Sequence, residues 1–169
     1  GDAGTDRDPW KFTATSTSTN IWFADSSAET FSTDLVLDKV RIIPAPPRGH
    51  FVNGSFEYGF DGWELNTTEG TATIQSTAPY QPTDGSKLAA FNSRNTRPFG
   101  QISQIVDTVP GKTYQLVVDV GNLSYVPLPQ WFRAIISDYP SGYVVQNEAV
   151  SIPSTSTSGG THWLRDRGF

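Results

Sequence analysis

Hydrophobic side chains recur at every second position along most of this chain. In "TYQLVVDV", Tyr114, Leu116, Val118 and Val120 fall on one face of an extended strand, with Thr113, Gln115, Val117 and Asp119 on the other. The alternation predicts a half-buried strand over 113–120. The same pattern predicts strands over 11–15, 20–24, 35–43, 71–75, 87–91, 101–106, 131–137 and 143–152. Turn-forming runs separate them ("EYGFDG", "PTDGS", "VPGK", "VPLPQ", "YPSG"), and no stretch of ten residues carries the 3.6-residue period of an amphipathic helix. Many short strands at this spacing imply an all-β fold, an antiparallel β-sandwich of the jelly-roll kind with less than about 10% helix.

Composition narrows the function. The 169 residues include five Trp, six Tyr and ten Phe, enough to fill one core. The net charge is −5 and no run of Lys or Arg occurs, so no nucleic-acid partner is expected. No apolar run approaches the roughly 20 residues of a membrane helix, so no membrane insertion is expected. The lack of Cys excludes disulfides and thiolate chemistry. The chain starts at Gly1 and has no Met, which suggests a processed or excised form. Its Ser/Thr tracts suit the solvated faces of secreted β proteins, so an extracellular or cell-surface location is expected.

Catalysis finds little support. The two histidines, His50 and His162, lie in no recognisable catalytic motif, and no carboxylate pair stands out by spacing. An enzyme is not expected. In "DLVLDKVRI" the alternation puts Val36, Asp38, Val40 and Ile42 on one face, so Asp38 sits among apolar side chains and needs a partner. That partner is either a cation or a base such as Lys39 or Arg41. Trp63 belongs in the core. Trp131 and Phe132 point to opposite faces, and Trp131 shares its face with Arg133 and Ile135.

The order of the elements is unusual. The run from Pro9 to Pro47 reads like the end of a β domain, yet it comes first. From Phe51 onward, "FVNGSFEYGFDGWEL", "PTDGSKLAAFNS" and "GQISQIVDTVPGKTYQLVVDVGN" resemble the opening of galactose-binding-like modules of the DUF642 and choice-of-anchor type. These in turn are similar to jelly-roll carbohydrate-binding modules. In that family a segment like "FTATSTSTNIWFADSS…TDLVLDKVRI" closes the domain. The resemblance therefore implies that residues 1–47 supply the closing strands and 48–169 the opening ones, together one domain, circularly permuted or cut out of phase from a tandem array. The two RD segments, "TDRDPWKFTATS" and "THWLRDRGF", read as the same junction met twice. The closing strands either complete their own sandwich or are donated to a neighbouring copy, with the Pro-rich stretch 42–51 as the connector.

The resemblance further implies a structural Ca2+, held by the carboxylates of Glu57 and Asp38 with backbone oxygens of the "DGSK" loop, Ser86 and Lys87 among them. It also implies glycan recognition, which needs an exposed aromatic platform with polar groups around it. The candidate ligand-binding residues are Trp131 and Arg133, with Asn92, Arg94 and Arg97 lining a concave face and Tyr80 at its rim. Two functions are expected from this reading. One is a non-catalytic structural or adhesive unit that associates with copies of itself in a head-to-tail array or filament. The other is a monomeric carbohydrate-binding module for cell-wall or matrix glycans.

Overall fold

The computed structural model describes residues 11–28, 33–44, 51–66, 70–91, 99–154 and 159–168. Its regular elements are strands alone among the described residues: β1 (Lys11–Thr13), β2 (Ser18–Asp25), β3 (Thr33–Ile43), β4 (Glu64–Asn66), β5 (Ala72–Gln75), β6 (Leu88–Phe91), β7 (Gln101–Asp107), β8 (Thr113–Ser124), β9 (Gln130–Asp138), β10 (Val144–Ile152) and β11 (Thr161–Gly168). Two antiparallel sheets pack face to face as a β-sandwich. One has the order β1-β8-β3-β6-β5 with β11 also on β8, and the other the order β10-β9-β2-β7-β4.

Alternation along each strand sends one set of side chains into the interlayer. Ile21 and Phe23 of β2, Leu35 and Leu37 of β3, Tyr114, Leu116, Val118 and Val120 of β8, and Phe132, Ala134 and Ile136 of β9 are all within 1% of full burial and form one core. An aromatic stack anchors it: Phe23 lies 5.6 Å from Phe132 and 6.0 Å from Trp63, which stacks on Phe51 and Phe56. Trp63 Nε1 donates to the Asn53 carbonyl at 3.1 Å, so the ring is buried with its polar group satisfied.

The early strands lie at the centre of the fold. β2 is hydrogen-bonded between β9 and β7, and β3 between β8 and β6, so each sheet is built around a strand from the first 43 residues. β1 and β11 share the other edge of β8, end to end: Gly168 stands opposite Val117 and Lys11 opposite Gln115. The connector residues 45–50 lie outside the described residues.

Two strands appear that alternation does not predict. β4 is three exposed residues paired to β7, and β11 carries the charged "RDR" run across a register shift between Leu164 and Arg167. The expectation that Val36, Asp38, Val40 and Ile42 share a face is corrected. A bulge between Asp38 and Arg41, with Lys39 at φ 52°, reverses the alternation. Val36 packs on the outer side of its sheet, whereas Val40 and Ile42 join the interlayer core.

Candidate binding face

The outer face of the five-stranded sheet is assembled by register. Because Ile21 and Phe23 point into the core, Asn20, Trp22 and Ala24 of β2 point outward. Trp22 stands between Ser103 of β7 and Ile135 of β9, and Ala24 between Gln101 and Arg133. Asn20 pairs with Ile105 and Ser137, and β4 adds Glu64 opposite Ser103 and Asn66 opposite Gln101. The result is one half-buried indole ringed by amides, hydroxyls and a carboxylate.

Two clefts meet at that indole. One, of about 360 Å3, is lined by Trp22, Glu64, Leu65, Asn66, Gln101 and Ser103. The other, of about 420 Å3, runs over Asn20, Trp22, Gln101, Ile135 and Ser137 to a wall made by Tyr139 and Pro140 of the β9–β10 turn. Asp138 fixes that turn: it accepts from the Ser141 hydroxyl at 2.6 Å and from Thr15 at 3.2 Å, and the Ser141 bond first among these holds its carboxyl below the usual carboxylate range. Asn20 Oδ1 is buried beside the second cleft without a hydrogen-bond partner. Trp131 lies on the same outer face, 45% exposed, with Phe132 fully buried behind it. Arg133 also faces out, and its Nε is buried without a partner.

The other candidates separate from this face. Tyr80 sits on the outer side of the six-stranded sheet, packed with Val36, Leu88, Ala90 and Trp163, and its hydroxyl donates to Asp34. It therefore forms no rim beside Trp131. Asn92, Arg94 and Arg97 lie outside the described residues. Trp22 is absent from the candidates that sequence suggests, although alternation alone places it opposite Ile21 and Phe23 and so marks it as outward-facing.

Glu57 and Asp38 do converge on one loop, as the resemblance implies. Glu57 Oε1 accepts the N–H groups of Ser86 and Lys87, both at 2.7 Å, and Oε2 accepts the Ser86 hydroxyl at 2.8 Å. These bonds, the Ser86 N–H foremost, hold the Glu57 carboxyl below its ordinary range. Asp38 Oδ2 accepts Thr83 N at 2.8 Å, Thr83 Oγ1 at 3.1 Å and Asp84 N at 2.9 Å, while Oδ1 accepts Lys39 N at 2.7 Å. Burial outweighs these donors and pushes Asp38 up to about 6. Gly85, at φ 71°, lies where an added Cβ would come within 2.5 Å of the Glu57 carboxylate. The left-handed φ at 85 favours glycine, and an added side chain would push the Glu57 carboxylate from its place.

The Lys39 and Arg41 side chains do not serve these carboxylates; they pair with Asp166 at 3.4 and 2.6 Å. The groups that the loop turns on Glu57 and Asp38 are hydrogen-bond donors. Ser86 and Lys87 present N–H and O–H groups, and Lys87 Nζ donates to the Glu57 carbonyl at 2.6 Å. Among the described residues no group of three or more His, Cys, Asp or Glu side chains could hold a metal ion. As arranged, the two carboxylates clamp a loop.

No family model, curated protein or solved structure matches this chain.

Proposed function

We propose that this domain is a non-catalytic binding module whose outer five-stranded face takes a hydroxyl-rich ligand of the glycan class. The observation that carries the reading is the pair of clefts sharing Trp22 and Gln101, with the unpartnered Asn20 Oδ1 beside them. A sugar ring presents C–H groups to an indole face and hydroxyls to amides and carboxylates, which is the mixture these clefts display. The test is a glycan-array screen followed by calorimetry on the best ligand. Trp22→Ala is expected to weaken binding at least tenfold with an unchanged melting temperature, whereas Tyr80→Phe leaves affinity intact. Equal affinity of Trp22→Ala and wild type would sink the assignment of this face.

A second reading, a structural or adhesive unit in a head-to-tail array, draws on a different observation: β1 and β11 meet on one edge of β8, and β1 is held there by three residues. Exchange of so short an edge strand between copies is the least demanding route to a chain of modules. Exchange of β2 and β3 would instead strip the middle strand from both sheets. Light scattering across a hundredfold concentration range reads this. A monomer throughout excludes the array.

A further inference from the structure

One end of the sandwich interior is polar rather than apolar. β2 ends and β3 begins there, and β8 ends where β9 begins. Asp25 faces inward beside its cross-strand partner Phe132, and Asn122 faces inward beside Leu35, both partners being core residues. Asp25, Ser27, Thr33, Asn122, Ser124 and Gln130 are each 1% exposed or less.

Most of their hydrogen-bonding capacity is met locally. Ser27 donates to Asp25 Oδ1 through its N–H at 2.9 Å and its hydroxyl at 2.5 Å, and Trp131 N donates to Ser27 Oγ at 2.9 Å. The Thr33 and Ser124 hydroxyls are 3.0 Å apart, and Asn122 Nδ2 donates to the Ile152 and Pro153 carbonyls at 3.3 and 3.0 Å. What remains is of one kind. Asp25 Oδ2 and Asn122 Oδ1, both acceptor oxygens, are buried without a hydrogen-bond partner, and among the described residues no Lys or Arg pairs with Asp25.

A buried carboxylate with no countercharge costs several kcal/mol, and a water molecule would supply a donor but leave the charge uncompensated; the carboxyl escapes that cost by keeping its proton or by taking a cation. We propose that this end of the interlayer holds a hard, oxygen-ligated cation, with Asp25 Oδ2 as its charged ligand and Asn122 Oδ1 as a neutral one. An all-oxygen set with a single carboxylate suits Na+ or Ca2+ rather than a transition metal, which prefers nitrogen or sulfur. Burial raises the Asp25 carboxyl above its usual range, and a bound cation opposes that rise. The site is separate from the Asp38–Glu57 clamp, whose loop covers the outer side of the six-stranded sheet.

The experiment uses the full chain, stripped of metal and melted in titrations of Na+, K+, Mg2+ and Ca2+ at constant ionic strength, with bound metal counted by mass spectrometry. A saturable rise of several degrees with one of these ions is expected, since a ligand that binds only the native state stabilises it by mass action. Asp25→Asn, which preserves shape and removes charge, is expected to abolish the rise, and Asp38→Asn to leave it intact. A wild type indifferent to all four ions overturns the proposal, whatever the folding of the variant. So does an Asp25→Asn protein that responds as the wild type does, or a response lost with Asp38→Asn and kept with Asp25→Asn.

Discussion

Lys39 and Asp166 are non-glycine residues held in the left-handed region, at φ 52° and 50°, on the two strands that flank Asp119 of β8. Each such residue costs on the order of 1 kcal/mol, so the bulges persist because something depends on them. At Lys39 the dependence is visible: the bulge turns Asp38 toward loop 83–84 and returns Val40 and Ile42 to the core. Sequence alone does not reveal this, because neither Gly nor Asn marks the bulge. Without such a mark, strict alternation puts Val40 and Ile42 on the face of Asp38, where only Val36 lies. Asp38→Ala removes the shared acceptor of the part-buried Thr83 and Asp84 N–H groups and is expected to cost about 1–2 kcal/mol in denaturant unfolding. With the donor set described, a chelator should not move the melting temperature through this clamp; a drop that Asp38→Ala abolishes would instead place an ion there. The pH response follows from Asp34 and Asp38, both pushed up to about 6 chiefly by burial, and from Asp25, raised by the same cause. A carboxyl whose folded-state pKa is raised holds its proton more tightly when folded. Its contribution is therefore fully present below the unfolded value near 4 and is lost as pH rises through about 6. Glu57, Asp138 and Asp166 are shifted the other way, and their contributions fade only below about 4. The melting temperature should then be higher at pH 5 than at pH 7.5, and Asp38→Asn should reduce that difference without removing it, because Asp34 keeps its raised carboxyl. A profile that falls steadily from pH 7.5 to 5 would contradict the assignment.

At the scale of elements, period-two alternation sufficed for nine strands because the inward residues of most are apolar and Gly or Pro bounds most of them. It failed for β4, whose three residues are all exposed, and for β11, where the pattern is interrupted at Arg165 and Asp166. β4 is held chiefly by backbone pairing to a neighbour already in place, and β11 by that pairing together with Trp163 and Leu164, contacts that no local sequence announces. The candidate face was half legible. Trp131 and Arg133 could be read from one strand, but the central position of Trp22 depends on β2 lying between β7 and β9, which is a fact of sheet order. That same order yields a sharp expectation. Removing residues 1–47 takes the middle strand from both sheets and exposes the core faces of β7, β8 and β9. The remaining chain should show no cooperative unfolding transition, and a peptide spanning residues 1–47, added in trans, should restore one. A cooperatively folded 49–169 fragment would contradict the central role given to β2 and β3.

For the whole molecule, the meeting of β11 and β1 on one edge of β8 is the organising feature. Only Leu116 separates their paired positions, and both strands run in the same direction along that edge. They behave as two halves of one interrupted strand. A reordered gene that joins residue 168 to residue 11 through a short linker, and opens the chain within 45–50, should therefore fold with a melting temperature no lower than the original. A clear loss of stability would mean that the break matters to the fold. The same feature decides how the domain responds to being pulled. Tension applied through Lys11 and Gly168 enters at neighbouring points of a single edge, so it peels strand ends away from β8 rather than shearing two long strands past each other. Hydrogen bonds loaded in this way break in succession instead of sharing the load. The three pairs of β1 would open first, like a zip started at its end, and the module would extend at low force while most of the sandwich stayed whole.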